Sequence, residues 1–202
     1  AKMKIFTYEG EKDTIMKPTD SIIYYKHMLQ TGMMAMEPRS GHIKAWVGGV
    51  NYKYFQYDHV GQGARQVGST FKPFLYATAI EQLGMSPCDS IIDSYFTMPK
   101  GKWGIDKDWS PKNSDGNYRG TTTLQKALAN SINTVSAKLI DRVGPKAVVD
   151  MAKELGVTSD IPEQPSIALG AVDITVEQMV GAMSTFANQG VYVKPTFIIK
   201  IE

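Results

Sequence analysis

Apolar residues recur along much of the chain at the spacing of amphipathic helices. One such run begins at Ser69 and continues to about Gln82, with Phe71 and Leu75 on its apolar face and Gly84 as its terminator. The same periodicity predicts helices at 21–30, 146–155 and 176–188, and a helix at 122–140 that is broken at 130–133.

Shorter apolar runs predict strands at 5–8, 33–36, 42–47 and 191–201. The sequence Pro38-Arg39-Ser40-Gly41 separates the second and third of these runs, so we predict a hairpin there. The remainder of the first seventeen residues is polar and is predicted to be irregular.

Two connecting segments are too rich in structure-forming residues to be simple linkers. Residues 86–120 are too long for a structureless connector within a compact domain, so we expect them to fold over another part of the chain. Residues 51–63 carry several aromatic side chains, which are consistent either with the lining of a substrate groove or with packing against the domain.

Composition excludes several classes of function. The 202 residues are 43% hydrophobic, enough for one domain with a core or for two small ones. The net charge of +2 gives no reason to expect a nucleic-acid partner, and the single cysteine, Cys88, excludes an internal disulfide. The three histidines show no ligand spacing, so we predict neither a metal nor another cofactor. No apolar run reaches the length of a membrane span, so any anchor of a parent protein is expected outside this sequence.

Ser69 and Lys72 form an S-x-x-K pair at the start of a predicted helix. This spacing brings both side chains to one face of the first turn, where free backbone N–H groups favour a developing oxyanion. A buried lysine with a lowered pKa can accept the serine proton and so activate the hydroxyl as a nucleophile. Alone, the motif is more typical of a capping serine followed by a solvated lysine.

Ser131 and Asn133 lie in the predicted break between two helical runs, where side chains can project into a cleft. The Ser131 hydroxyl is a candidate proton relay between Lys72 and a leaving group. The amide of Asn133 offers both a donor and an acceptor, suited to orienting Lys72 or an amide substrate.

Several ordered segments resemble the transpeptidase domain of class A penicillin-binding proteins. They are Arg65–Pro73, Asp108–Asn113, Tyr118–Gly120, Thr123–Asn133, Ser166–Gly170 and Phe186–Tyr192. The resemblance implies an α+β fold in which an antiparallel sheet is flanked by helices, as in serine β-lactamases and D,D-transpeptidases. It assigns residues 33–202 to the N-terminal portion of that domain and residues 1–32 to a linker or a junction with a preceding domain.

The resemblance also implies a chemistry. Ser69 is expected to attack a D-Ala-D-Ala stem peptide of peptidoglycan, with Lys72 as the base, Ser131 as the proton relay and Asn133 as the substrate-binding residue. β-Lactams are then expected to acylate Ser69. The parent protein is expected to be membrane-anchored and to act on the extracytoplasmic face, which is periplasmic in a Gram-negative bacterium.

One family motif is absent from the sequence: no K-T-G or K-S-G triplet occurs in the 202 residues. We therefore interpret the chain as truncated before that motif and before the later sheet strands, and expect it to be inactive alone. A sheet edge left open in this way could pair with another copy or a second chain. The alternatives are a β-lactamase or D,D-carboxypeptidase of the same fold, or a non-catalytic module that senses or binds β-lactams.

Overall fold

The computed structural model describes residues 1–198, 200 and 201, which contain short strands and six α-helices. The strands are β1 (Lys2–Thr7), β2 (Gly10–Ile15), β3 (Met33–Met36), β4 (Ile43–Val47), β5 (Arg65–Gln66), β6 (Ser90–Asp93), β7 (Gly120–Thr123) and β8 (Asp173–Ile174). The helices are α1 (Pro18–Lys26), α2 (Lys72–Leu83), α3 (Leu124–Ala129), α4 (Asn133–Val143), α5 (Pro145–Glu154) and α6 (Val176–Ala187). Turns of 3-10 helix occupy Gly68–Phe71, Lys102–Gly104 and Pro165–Leu169.

The core surrounds α2, which packs against α4, α5 and the turn Pro165–Leu169. Phe74 and Leu75 of α2 and Leu139 and Ile140 of α4 are fully buried. Each such side chain contributes about 1.5–3 kcal/mol by its removal from water. The N-terminus of α2 and that of α4 therefore meet within a tightly packed core, and this fixes their separation.

All strand pairs among the described residues are antiparallel and two-stranded: β1–β2, β3–β4, β5–β8 and β6–β7. The predicted α+β class is confirmed, as is the hairpin of β3 and β4. The β5–β8 pair joins distant parts of the chain, and its hydrogen bonding continues from the Val67 N–H to the Val172 oxygen.

The N-terminal region departs from the sequence prediction. Residues 1–17 are not irregular, because β1 pairs along its whole length with β2. The polar sequence of β2 concealed this strand, since most of its side chains are exposed. The helix predicted at 21–30 begins at Pro18, which is suited to a first turn, and ends at Lys26 without burying a residue.

The aromatic segment 51–63 packs against the N-terminal region. The ring of Phe6 lies 5.5 Å from that of Tyr54 and 5.6 Å from that of Phe55, measured between centroids. Tyr25 of α1 contacts the same two rings. The expected packing is therefore observed for Tyr54 and Phe55. The phrase "aromatic cluster" below denotes Phe6, Tyr25, Tyr54 and Phe55.

Residues 86–120 fold against the core, as predicted. Met98 is fully buried and exchanges backbone hydrogen bonds of 2.9 Å with Trp109 in both directions. This arrangement holds the following residues, 110–119, beside the N-terminus of α4.

The predicted strand at 191–201 is wrong for the described residues 191–198, and residue 199 lies outside the described chain. Only a single parallel bridge forms there, between Thr196 and His42. Pro195 precedes Thr196 and lacks the N–H that a continuous ladder requires. None of the helices described is long and apolar enough to cross a membrane.

Candidate active site

Ser69 lies in the 3-10 turn that leads directly into α2. The residue is exposed, and its hydroxyl makes no hydrogen bond to another described residue. It does not cap the helix, so the interpretation of Ser69 as a capping serine is wrong. The neighbouring Thr70 hydroxyl instead donates to the Val67 oxygen at 2.7 Å. The hydroxyl of Ser69 is thus left available to a molecule arriving from solvent.

Gly68 and Gly170 hold this turn in place. The Gly68 N–H donates to the Gly170 oxygen at 3.1 Å, and Gly68 has a φ of 56°. Gly170 has a φ of 74°, and a Cβ built on it would lie 1.7 Å from the Gly68 oxygen. No side chain fits at position 170 without displacing the turn that carries Ser69.

Lys72 is fully enclosed and points towards the break between α3 and α4. Its Nζ donates to the Ser131 carbonyl oxygen at 2.7 Å, to Ser131 Oγ at 2.9 Å and to Asn133 Oδ1 at 2.7 Å. Removal from water disfavours the charged amine and lowers the pKa of Lys72 to about 8.

These contacts distinguish the two protonation states of Lys72. An ammonium has three protons, which match the three oxygen acceptors. A neutral amine has two protons for the carbonyl and amide oxygens, and its lone pair can then accept a proton from a hydroxyl. Ser131 Oγ can reverse its role because a hydroxyl both donates and accepts. The arrangement is therefore suited to moving a proton between Lys72 and Ser131.

Ser131 adopts a left-handed backbone conformation, with a φ of 52°. Its N–H donates to the Leu128 oxygen at 2.9 Å, and the Ile132 N–H donates to the Ala127 oxygen at 2.9 Å. This pair of bonds is the Schellman motif that ends α3, in a position that usually holds glycine. The strain, on the order of 1 kcal/mol, accompanies a geometry that directs both the carbonyl and the hydroxyl of Ser131 at Lys72.

Asn133 is the first residue of α4 and contacts two different segments. Its Oδ1 accepts from Lys72, and its Nδ2 donates to the Lys112 carbonyl oxygen at 2.9 Å. These two bonds fix the orientation of the amide group.

The structure brings together Lys72, Ser131 and Asn133, three of the four predicted site residues. Ser69 lies one turn before Lys72, whose backbone N–H donates to the Ser69 carbonyl oxygen, while the Ser69 hydroxyl makes no hydrogen bond to the other three residues. The contribution of Lys112 has no signature in the sequence, because the group involved is a main-chain oxygen.

The cavities and the candidate metal ligands were compared with the position of these four residues. A cavity of about 810 Å³ lies between α1 and residues 53–65 and contains none of these four residues. Across residues 1–198, 200 and 201, no group of three or more His, Cys, Asp or Glu side chains could hold a metal ion.

The fold and the site agree with the protein families whose models match the chain. The family model described as "Penicillin binding protein transpeptidase domain" matches residues 31–202, and the chain belongs to that family. A second model, "Penicillin-binding protein middle domain", matches residues 1–29. The resemblance inferred from the sequence is confirmed.

Among individual proteins, the chain is similar to penicillin-binding protein 1A of Aquifex aeolicus, with 39% identity over 176 residues. It is 37% identical to penicillin-binding protein 1A of Neisseria flavescens over 175 residues. Both alignments cover 86% of this chain, which spans 23% and 22% of those relatives.

Solved structures give the same result. Penicillin-binding protein 1A from Haemophilus influenzae superposes with a TM-score of 0.77 and 29% identity, over 83% of this chain and 24% of that one. PonA1 from Mycobacterium tuberculosis, in complex with penicillin V, gives a TM-score of 0.70 and 27% identity. That match covers 88% of this chain and 49% of PonA1.

Proposed function

We propose that this chain supplies the nucleophile, base and proton relay of a peptidoglycan cross-linking D,D-transpeptidase. The observation that carries the proposal is the enclosed Lys72 amine, bound to Ser131 and Asn133 one turn after the exposed Ser69. A solvated lysine beside a capping serine has none of these contacts.

The reaction starts with Lys72 in its neutral form. Ser69 Oγ attacks the carbonyl carbon between the two terminal D-alanines of a stem peptide, and the hydroxyl proton passes to Lys72. The C–N bond then breaks, Ser131 relays a proton to the departing D-alanine nitrogen, and the acyl group stays on Ser69 as an ester. An amine from a neighbouring stem attacks this ester, and the Ser69 oxygen recovers its proton. Ser131 and Lys72 serve both proton transfers.

Asn133 and the Ser69 N–H bind the substrate and stabilise the tetrahedral oxyanion. Asn133 positions the substrate together with Lys72, since its amide is held by the Lys112 oxygen on the opposite side. The Ser69 N–H, at the free start of a helical turn, is one donor for the tetrahedral oxyanion. β-Lactams mimic the D-Ala-D-Ala terminus and acylate the same hydroxyl, a proposal that the penicillin V complex of PonA1 supports.

The proposal includes the domain organisation of the chain and the location of its parent protein. Residues 33–202 form the N-terminal portion of the transpeptidase domain and residues 1–32 its junction with a preceding domain. The change between the two family matches, at residues 29–31, supports this division. The parent protein is membrane-anchored and acts at the extracytoplasmic face, where stem peptides are found.

Acylation of the full-length protein by benzylpenicillin tests this function. We expect a stoichiometric mass increase located on Ser69, and its loss in the Ser69→Ala variant. Ser90→Ala, which removes another exposed serine hydroxyl on β6, is the matched control and is expected to acylate normally. An adduct of equal yield in Ser69→Ala would exclude Ser69 as the nucleophile. Rapid loss of the adduct by hydrolysis would favour a β-lactamase.

A further inference from the structure

The N-terminus of α4 is capped by Asn113, a residue far from it in sequence. The Ile132 position that precedes α4 provides no side-chain cap. Instead, Asn113 Oδ1 accepts the N–H of Asn133 at 2.9 Å and that of Thr134 at 3.2 Å. Asn113 Nδ2 donates to Asp93 at 2.9 Å and to the Asn117 oxygen at 2.8 Å. Every hydrogen-bonding position of this amide is used, so it has a single orientation.

Asp93 fixes Asn113 from behind. The residue is 1% exposed, at the end of β6, and its Oδ1 also accepts from the Thr134 hydroxyl. Its Oδ2 accepts the Arg119 N–H at 2.8 Å, and the Arg119 guanidinium lies 3.8 Å away. Burial alone raises the pKa of Asp93, but hydrogen bonds from Thr134, Asn113 and Arg119 outweigh it and lower the pKa.

A second contact attaches α4 to the same strand. The Lys138 ammonium donates to the Ile92 oxygen at 2.6 Å and to the Ser94 hydroxyl at 2.8 Å, on either side of Asp93. The first two turns of α4 are therefore held to β6 at two points. Burying a carboxylate is costly unless its hydrogen bonds are complete, and a simple helix cap does not require one.

Residues 112 and 113 bind both the backbone N–H and the side-chain amide of Asn133. The Lys112 oxygen receives the Asn133 side chain, and the Asn113 side chain receives its backbone N–H. Ser131 precedes this anchored point by two residues and is held in a strained turn. A shift at the start of α4 therefore moves the Asn133 and Ser131 oxygens relative to Lys72.

We propose that Asp93 and Asn113 are positioning residues for the acylation of Ser69. They hold the start of α4 so that Ser131 and Asn133 keep the Lys72 amine in its productive arrangement. This inference rests on the function proposed above, because it assigns a role in a reaction that those residues perform.

The test compares two Asp→Asn substitutions in the full-length protein. Asp93→Asn replaces an oxygen that accepts hydrogen bonds by an NH₂ group and disturbs the buried network. Asp115→Asn makes the same change at an exposed carboxylate that also pairs with Arg119, at 2.7 Å, but makes no hydrogen bond to the Asn113 side chain. Acylation by benzylpenicillin is followed in time over a series of concentrations. The amplitude then counts folded protein, while the rate constant at saturation reports the geometry of the site.

For Asp93→Asn we expect the saturating rate constant to fall about ten- to hundredfold, as for small misplacements of reacting groups. The half-saturating concentration can change as well, because Asn133 also positions the substrate, so the saturating rate constant is the deciding quantity. Asp115→Asn should match the wild type in both. A wild-type rate constant with only a reduced amplitude or melting temperature would mean that Asp93 is merely structural, and would overturn the inference.

A milder variant covers the case in which Asp93→Asn does not fold. Thr134→Val removes one hydroxyl from Asp93 and preserves the side-chain shape, and we expect a rate constant about two- to tenfold lower. A wild-type rate constant for this variant would overturn the inference in that case. Failure of the proposed function is a separate result, since it is seen as a wild-type protein that forms no adduct or an adduct that survives Ser69→Ala.

Discussion

Lys72 has the properties of a general base because its burial disfavours the charged ammonium and so lowers its pKa. Its pKa of about 8 leaves part of the population neutral at physiological pH, whereas an ordinary lysine is almost wholly protonated there. In the proposed mechanism only the neutral amine accepts the Ser69 proton, so the protonation state of this one group would control the activation of Ser69.

The rate of acylation should therefore depend on pH with a defined sign. Below pH 8, Lys72 is protonated and the rate constant falls about tenfold for each pH unit. Above pH 8 it reaches a plateau, because deprotonation is then complete. A pH profile of benzylpenicillin acylation in the full-length protein measures this. Lys72→Arg, which keeps the charge but cannot deprotonate, should be slow at every pH. A rate that is flat through pH 8 would contradict the role of base.

Replacing Ser131 by glycine is expected to stabilise the protein while it slows acylation. Ser131→Gly relieves the left-handed strain and should stabilise the protein by about 1 kcal/mol, whereas Ser131→Ala keeps the strain. Both variants lose the hydroxyl and should acylate slowly. Denaturant unfolding and acylation rates measured on the pair separate the two effects. Equal stability of the two variants would argue against strain at this position.

At the scale of elements, the position of Ser69 depends on two antiparallel contacts between segments distant in sequence. The β5–β8 pair and the bond from Gly68 to Gly170 connect the nucleophile turn to the segment after Pro165–Leu169. The absence of a side chain at residue 170 is a requirement of this contact, since the Gly68 carbonyl occupies that space.

Gly170→Ala should destabilise the protein by on the order of 3 kcal/mol or more, through a backbone clash added to an unfavourable φ. Gly84→Ala is the matched control. Gly84 has a φ of 61° at the end of α2, but a Cβ there meets nothing within 4 Å. It should cost about 1 kcal/mol. Chemical unfolding of both variants gives the comparison, and equal losses would show that the contact with Gly68 is not tight.

At the scale of the whole molecule, the N-terminal hairpin is attached to the rest of the chain through the aromatic cluster. Phe6 is 8% exposed, and its ring is central to this contact. The hairpin is distant in sequence from the Lys72 contacts, and it shares none of their residues.

Phe6→Ala should release the hairpin without slowing acylation. The loss of an aromatic side chain of this size costs about 3–5 kcal/mol in a packed core, so β1 and β2 should lose protection from hydrogen exchange. Tyr52→Ala is the control, because that ring is 79% exposed and lies outside the aromatic cluster. Unchanged exchange in β1 would show that other contacts hold the hairpin. A large fall in acylation rate would show that it is coupled to the site.

The sequence predicted what depends on local periodicity. The apolar spacing located α2, α5 and α6, and the break at 130–133 located the Ser131 turn. The strand β2 was missed because its exposed polar side chains carry no alternating pattern. The bonds from Lys72 to the Ser131 carbonyl and from Asn133 to the Lys112 carbonyl were not predictable, because main-chain atoms are common to all residues. The pairing of β5 with β8 depends on tertiary packing, which two-residue strands do not reveal.

One of the oxygens that hold the Lys72 amine belongs to the peptide backbone, and every amino acid supplies such an atom. No single codon change can remove it. Substitutions at residue 131 leave the contact atom in place, so the contact changes only when Lys72 or the bend between α3 and α4 changes. If β-lactams acylate Ser69 as proposed, variants that escape them through this contact should therefore carry changes at Lys72 or in residues that set the bend.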